Sequence, residues 1–287
     1  MWPLLVDTVG NFIADEALSR GASIAYYTLF AIAPVLLIVI AIAGLVFGRD
    51  AAQGAIVDQL SGLMGFSTAQ ALEEMVKKAD LSDAGPWPAL LGVGILLVTA
   101  SGVFGEVQSA LDAIWKAKPS ERASTVGRLA RARAASFALV LISGFLTTVS
   151  LATSAALAAF AAYLHGRFPA LEVGVSIVDF VISTGLIALM FGAIYKVLPD
   201  KPIAWRDVAI GSLGTALLFG VGKYAIGFYI GQSDVASGYG AAGALIVLLL
   251  WIYYAAQIFL LGAEFTHAYA RRYGSHARGA TTSPDHG

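Results

Sequence analysis

Among the ionisable and amide side chains within the long apolar stretches of this 287-residue sequence, six are the first candidates for chemistry. An ionisable group inside a membrane span is costly. By default it faces the bundle interior or a water-filled cavity, where it binds a solute, a proton or another charge. We therefore predict a polar, substrate-binding cavity lined by Glu106, Gln108, Asp179, Lys223, Gln257 and Glu264.

Asp179 and Lys223 are predicted to lie at one depth near the outer surface. At 1.5 Å per residue, Asp179 lies about 10 Å below the end of its helix, and Lys223 lies about 12 Å below the same surface. Opposite charges at one depth on neighbouring antiparallel helices favour an ion pair that ties the helices together. The alternative is an outer pocket that uses both charges to bind a substrate or a proton.

The other four residues are predicted to lie in the inner half of the bundle. Glu106 and Gln108 belong to the second apolar stretch, whereas Gln257 and Glu264 share one helical face in the last. One interpretation is an inward-facing cavity that takes up a proton, a cation or a lipid headgroup. The other is that each side chain is hydrogen-bonded to a neighbouring helix.

A second group of residues is predicted to shape the helices. Pro34 lies in the middle of the first apolar stretch, where it removes one backbone hydrogen bond and is expected to kink the helix as a hinge or a static bend. Gly227 lies on a glycine-rich side of the fifth stretch. Small polar residues allow close helix packing in lipid, and packing is preferred over lining a pathway for the hydroxyl stripe of the third stretch. That stripe consists of Ser143, Thr147, Ser150 and Ser154.

The elements that must position these side chains are six apolar stretches. A helix needs about 20 mostly apolar residues to cross a hydrocarbon core of roughly 30 Å. The chain is 58% hydrophobic and 13% charged, against roughly 25% charged residues in ordinary soluble domains. We predict an all-α, polytopic membrane protein whose transmembrane domain covers 22–272, with spans at about 22–47, 88–114, 134–164, 173–198, 206–230 and 239–269.

The distribution of cations predicts the orientation. Most of the 18 Lys and Arg residues fall in loops on one side of the predicted spans. Cytoplasmic loops carry the excess of Lys and Arg in membrane proteins. Both termini are therefore predicted to be cytoplasmic, in a multi-pass protein of the bacterial inner membrane.

Three flanking segments are predicted outside the spans. Residues 1–21 place Leu5, Val9, Phe12 and Ile13 on one side of a helix on the inner surface. Residues 48–87 are predicted to form an extracytoplasmic helical hairpin, whose second helix opens with a capping box at Ser67-Thr68-Ala69-Gln70 and buries Leu72, Met75, Val76 and Ala79. The hairpin either covers the outer mouth of the bundle or docks an envelope partner. Residues 273–287 are predicted to be a disordered cytoplasmic tail.

Several function classes are not indicated. The chain has no cysteine, so disulfides and thiolate metal sites are excluded. Its net charge of −1 gives no sign of nucleic-acid binding. The four histidines lack metal-ligand spacing, and there is no phosphate-binding loop and no nucleophile elbow. We expect no cofactor, no metal and no enzymatic activity. An intramembrane enzyme acting on lipid would need Glu106 with Glu264 as its catalytic pair.

Short motifs with distinctive residues follow one another along the chain. They are Ala25-Tyr26-Tyr27-Thr28 with Ala33-Pro34, Glu106 with Gln108, Leu111 to Trp115, Tyr195 with Leu198-Pro199-Asp200, Ser237 with Tyr239-Gly240, Trp251-Ile252-Tyr253 and Gly262-Ala263-Glu264. This ordered set, over about residues 15–272, resembles the YihY/BrkB family of bacterial inner-membrane proteins. One position departs from the family pattern, because Asp112 stands where an Asn is expected.

The resemblance implies six spans with both ends cytoplasmic, in agreement with the cation distribution. It also implies a role in envelope integrity and serum resistance, with transport of lipids or lipopolysaccharide precursors. An older label of relatives, ribonuclease BN, does not fit. RNA cleavage needs catalytic groups in a basic, water-accessible cleft, and the basic residues around Ala123 have no catalytic partners. Those cations more simply hold the loop against anionic lipid.

The leading hypothesis is an inner-membrane transporter or flippase-like protein for a lipid-type or other amphipathic anionic substrate. Its predicted partners are membrane lipids. The alternative is a non-transporting scaffold that recruits a periplasmic or envelope protein through residues 48–87. The sequence leaves self-association into a homo-oligomer open.

Overall fold

The computed structural model describes most of the chain as a bundle of helices. The described residues are 2–79, 102–117, 138, 141–142, 144–150, 152–157, 159–160, 169–232 and 241–275. Most of the predicted span 88–114, parts of 134–164, Ser143 and the predicted tail beyond Ser275 therefore lie outside the described residues.

Every regular element in the described ranges is an α-helix. The helices are α1 (Trp2–Ala14), α2 (Ala17–Phe47), α3 (Arg49–Met64), α4 (Phe66–Ala79), α5 (102–114), α6 (Gly144–Leu157), α7 (Pro169–Val197), α8 (Trp205–Gln232) and α9 (Ala241–Arg272).

Three helices are long and apolar enough to cross a membrane, namely Ile177–Val197 in α7, Trp205–Phe228 in α8 and Ala242–Arg272 in α9. A fourth is α2, if its arms Ala17–Ala33 and Val35–Phe47 count as one span. The arms meet at 49° around Pro34, where the sequence predicts a kink. The protein is thus all-helical with three to four candidate spans among its described residues, and six spans stay a prediction.

One predicted boundary is corrected. The sequence predicts a surface helix over residues 1–21, but α1 ends at Ala14 and α2 already begins at Ala17. The break lies at Glu16, whose φ of 55° is left-handed and cannot continue a right-handed helix. Further along, α7 begins at Pro169, ahead of the predicted span at 173–198, because a proline is well tolerated in the first helical turn.

The α3–α4 segment packs on the rest of the bundle. Both helices contact α2, while α3 also contacts α8 and α4 also contacts α9. Ile56, Met64, Leu72 and Val76 are buried in these contacts. The predicted apolar face of the second helix is therefore confirmed at Leu72 and Val76.

The predicted capping box at residues 67–70 is wrong. The helix α4 starts earlier, at Phe66, directly after Gly65 with its φ of 86°. Thr68 is buried, and its Oγ1 has no hydrogen-bond partner among the described residues. A glycine takes this backbone conformation without steric cost, so the helix begins there without a side-chain cap.

The longest helices meet at close range. Thr215 of α8 contacts Gly262 of α9, and Thr266 of α9 contacts Gly211 of α8. Each threonine hydroxyl donates to the carbonyl one turn earlier in its own helix, at 2.8 Å for Thr215 to Gly211 and 2.7 Å for Thr266 to Gly262. Small residues and satisfied hydroxyls let two helix backbones approach closely in lipid.

Tyr195 ties three helices together in the hydrophobic core. Its ring is fully buried beside Phe191 and Phe259. Its hydroxyl donates to the carbonyl of Phe259 at 2.7 Å and lies 3.2 Å from Thr215 Oγ1. This part of the α7–α8–α9 bundle is therefore a packed unit whose buried hydroxyl is satisfied.

Candidate functional site

A cavity of about 550 Å³ lies between α3, α6, α7 and α8. Sites for small ligands commonly measure roughly 300–1,000 Å³. The walls are formed by Asp58, Gln59, Gly62 and Leu63 of α3, Leu146, Thr147 and Ser150 of α6, Leu186, Ile187 and Met190 of α7, and Phe219, Lys223 and Tyr224 of α8.

The cavity is amphipathic. Lys223, Asp58 and Gln59 supply its polar groups, and Phe219 lies one helical turn before Lys223 on α8. Two members of the predicted hydroxyl stripe, Thr147 and Ser150, also line it. Most of the remaining wall is made of aliphatic side chains of α6 and α7. Such a site suits a ligand that has both a charged group and an apolar part.

The structure does not bring Asp179 and Lys223 together as an ion pair. The ammonium of Lys223 lies 5.0 Å from the centre of the Tyr224 ring, a cation–π arrangement. Asp179 is half-buried on α7, two turns before Leu186 on the same helical face, and so about 10 Å further toward the predicted outer end. Lys223 therefore contacts the Tyr224 ring and lines the cavity, instead of forming the predicted ion pair with Asp179.

Gly227 lies where α8 meets α3. A Cβ at this glycine would lie 3.6 Å from the carbonyl oxygen of Leu63. The glycine thus permits a close approach between the two helices at the edge of the cavity. Ser154, the last member of the hydroxyl stripe, is half-buried on α6 but does not line the cavity.

At the predicted inner end, the connection between α7 and α8 docks on the end of α5. The backbone N–H of Asp200 donates to Asp112 Oδ1 at 2.8 Å, and Gln108 Nε2 donates to Asp200 Oδ1 at 3.4 Å. Lys201 Nζ donates to the carbonyl of Trp115 at 2.9 Å. Gln108 therefore holds a connection in place. Asp112 accepts through an oxygen that an asparagine would also offer.

Glu264 lies deeper at the same end. Its side chain is 0% exposed, and neither carboxylate oxygen has a hydrogen-bond partner among the described residues. The charges that act on it come from Asp15 and Lys116. A buried carboxyl group without a donor loses solvation that nothing replaces.

Asp15 and Lys116 form an ion pair beside Glu264. Side-chain exposure falls from 60% at Lys116 to 11% at Asp15 and 0% at Glu264, so the pair lies on the solvent side of the buried carboxyl. Lys116 and Glu16, next to Asp15, both have left-handed backbones, with φ of 49° and 55°. Such strained positions cluster at functional sites, and here two of them flank one ion pair.

The other two residues of the predicted inner cavity, Gln257 and Glu106, lie on α9 and α5. Gln257 Nε2 donates to the carbonyl of Leu18 at 3.4 Å and packs against Gly21. Glu106 is half-buried on α5. The 550 Å³ cavity contains none of the four predicted inner residues. Nor does a second, apolar cavity of about 290 Å³, lined by Leu5, Thr8, Val9, Gly214, Thr215, Leu218, Leu261, Gly262 and Phe265.

Sequence reasoning missed Asp58, Asp15 and Lys116. The helical pattern of the sequence could have indicated Asp58, because it lies on the polar side of a helix whose apolar side carries Ile56 and Leu60. Asp15 and Lys116 lie 101 residues apart, and no local pattern signals their contact. The described residues contain no group of three or more His, Asp or Glu side chains able to hold a metal ion.

Comparison with known proteins places the chain in a family. The family Virulence factor BrkB matches residues 8–286. The chain belongs to the BrkB family. Relatives named UPF0761 membrane protein include those of Rhodospirillum centenum and Alcanivorax borkumensis, both 28% identical over 265 residues, or 90% and 91% of this chain. A relative from Ralstonia nicotianae is 30% identical over 169 residues, or 58% of this chain.

The chain spans 36–58% of the length of these three BrkB relatives. No solved structure matches the chain significantly. Three of the short motifs of the sequence come together at the predicted inner end, where Asp200 bonds to Asp112 and Glu264 lies beside the Asp15–Lys116 pair.

Proposed function

We propose that this protein moves an amphipathic, lipid-type substrate with an anionic group across the bacterial inner membrane. The observation that carries the proposal is the 550 Å³ cavity, in which Lys223 lies beside a wall of aliphatic side chains. A cation in a partly apolar cleft attracts an anionic headgroup more strongly than it would in open water. The acyl chains would follow the apolar wall.

The unequal ends of the bundle support transport by alternating access. A cavity lies in the predicted outer half, whereas the predicted inner end is occupied by the Asp15–Lys116 pair and by the connection docked on α5. Transporters expose one site to each side in turn. In this proposal the outer site is accessible, and release inward requires the Asp15–Lys116 pair to separate.

Separation of that pair would expose Glu264. Glu106 and Gln257, which are half-buried on α5 and α9, would then complete an inner polar site. The bend of α2 at Pro34 supplies a place where one arm of a helix can move relative to the other. A carrier of this kind would link the protein to envelope integrity by supplying lipid-type material across the inner membrane.

The test is reconstitution into vesicles that contain phospholipids labelled with a fluorophore on the acyl chain, so that the headgroup stays free. The wild-type protein should accelerate transbilayer movement, and Lys223→Gln should reduce the rate severalfold. Lys78→Gln is the matched control, since Lys78 is an exposed cation on α4 outside the cavity. Absence of any acceleration by the wild-type protein would overturn the proposal.

The scaffold alternative has one observation in its favour. Phe66, at the turn between α3 and α4, is 72% exposed and offers a partner an aromatic contact. The rest of the apolar surface of α3 and α4 packs on α2, α8 and α9, which favours a covering role. Crosslinking in cells from Phe66 and Gln70 distinguishes the two, because only a scaffold should capture one envelope protein reproducibly.

A further inference from the structure

The cavity wall carries charges of both signs. Asp58 projects from α3 and Lys223 from α8, and both line the same space. Among the described residues no ion pair joins the two, and Lys223 instead lies over the Tyr224 ring at 5.0 Å. Because these two charges do not pair with each other, a ligand in the cavity has to compensate both the ammonium of Lys223 and the carboxylate of Asp58.

A single headgroup compensates both side chains when it carries one anionic group and one cationic group. A phosphate oxygen would accept hydrogen bonds from the Lys223 ammonium, and a primary ammonium would donate to the Asp58 carboxylate. Gln59 next to Asp58, and the hydroxyl of Ser150, line the same space and can bond the remaining oxygens. We propose that the cavity selects lipids whose headgroup combines a phosphate with a primary ammonium.

Asp58 is the residue that lets the cavity discriminate between lipid headgroups. Lys223 alone would accept any phosphate-bearing lipid. A carboxylate in the same cavity repels a headgroup that carries only negative charge, and specificity commonly depends on such a repulsive element. The proposal rests on the proposed function, in that it takes the cavity as the substrate site and assigns the substrate's headgroup.

The test measures binding without transport. The purified full-length protein in detergent is titrated with two lysophospholipids of equal chain length, lysophosphatidylethanolamine and lysophosphatidylglycerol, and the bound species are counted by native mass spectrometry. The wild-type protein should prefer the ethanolamine headgroup. Asp58→Asn should reduce that preference by about tenfold, since a charged hydrogen bond and a repulsion are both removed. Lys223→Gln should weaken binding of both lipids.

Asp50→Asn is the matched control. Asp50 is an exposed aspartate on the same helix, outside the cavity, and its replacement should leave the preference unchanged. Equal binding of the two lipids by the wild-type protein, or a preference that survives Asp58→Asn, would overturn the inference. Headgroup preference without transbilayer movement in vesicles would overturn only the proposed function. Movement of both lipids at equal rates with no preference in binding would overturn only the headgroup assignment.

Discussion

At the scale of single residues, Lys116 acts on more than one carboxyl group. Its ammonium pairs with Asp15 and also acts on Glu264, so one cation offsets two carboxyl groups. Its left-handed backbone places it at the turn that ends α5. Removal of a partner from a partly buried charge cluster is destabilising because the remaining charges lose their compensation.

The first prediction concerns this cluster. Lys116→Met should lower the free energy of unfolding by about 1–2 kcal/mol, since Lys116 is itself largely exposed but its partners are not. Glu264→Gln replaces the buried carboxyl group with a neutral amide of the same shape, and the midpoint of thermal unfolding should stay the same or rise. In the double variant, the loss from Lys116→Met should shrink, which a double-mutant cycle by thermal unfolding in detergent measures. Strictly additive effects would contradict the coupling.

The sequence predicts part of the site at this scale. Lys223, Thr147 and Ser150 stand out because a charge or a hydroxyl stripe inside an apolar stretch is a local pattern, and all three line the cavity. The Asp15–Lys116 contact joins residues 101 positions apart and depends on how α1, α2 and α5 pack, which no local spacing encodes.

At the scale of elements, the crossing of α8 and α9 depends on the two Gly-x-x-x-Thr motifs. Gly211 and Gly262 each receive the threonine of the opposite helix. The arrangement is reciprocal, so a side chain added on either glycine would push both helices apart. This motif is visible in the sequence, and it is the packing signal that prediction from single charges and hydroxyls overlooks.

Gly262→Ala is therefore predicted to lower the free energy of unfolding by about 1–3 kcal/mol, the usual cost of overpacking. Gly220→Ala is the control. It lies on α8, and a Cβ there meets nothing within 4 Å among the described residues. That control should be neutral or slightly stabilising, because alanine is the better helix former. Thermal unfolding in detergent checks both, and equal effects of the two variants would contradict the packing argument.

The contact between α3 and α4 should depend on pH through Glu73. A hydrogen bond from Lys77 holds the pKa of the Glu73 carboxyl below its ordinary value of 4.5. Burial acts in the opposite direction and raises this pKa, whereas a hydrogen bond from Gln53 lowers it further. A lowered folded-state pKa means that stability is present above the ordinary value and lost as the pH falls through the folded value.

Hydrogen exchange of α3 and α4, corrected for intrinsic rates, should thus show protection falling between pH 6 and pH 3 in the wild-type protein. Glu73→Gln should flatten this dependence. Glu74→Gln changes the neighbouring exposed carboxylate and should behave as the wild-type protein does. An identical pH profile in Glu73→Gln and the wild-type protein would refute the assignment.

Helix existence follows from length and apolar content, which is why α2, α7, α8 and α9 are predicted from the sequence. Helix ends are less predictable, because they depend on single backbone conformations. Glu16 separates α1 from α2, and Gly65 starts α4 ahead of the expected cap. Neither residue carries a pattern that distinguishes a helix break from a helix interior.

At the scale of the whole molecule, the proposed function requires that access differ between the two ends. The chain has no cysteine, so single substitutions report accessibility cleanly. In intact spheroplasts a membrane-impermeant maleimide should label Ser67→Cys on the exposed start of α4 and Ser150→Cys in the cavity. Ser19→Cys should react only after permeabilisation. Ala263→Cys, fully buried beside Glu264, should react in neither case.

Labelling of Ser67→Cys and Ser19→Cys from the same side would contradict the orientation. Ready labelling of Ala263→Cys would contradict a closed inner end. Addition of a bound lysophospholipid should slow the labelling of Ser150→Cys and leave Ser67→Cys unchanged, which separates cavity protection from a general loss of reactivity.

The contact between the first and last helices bears on how many times the chain can cross a membrane. Asp7 of α1 pairs with Arg272 at the end of α9 at 2.7 Å, so the chain returns to the face from which α2 departs. A chain that starts and finishes on one face of a membrane crosses that membrane an even number of times. If the four candidate spans α2, α7, α8 and α9 all cross a membrane, they make an even number of crossings, which agrees with this contact between the first and last helices.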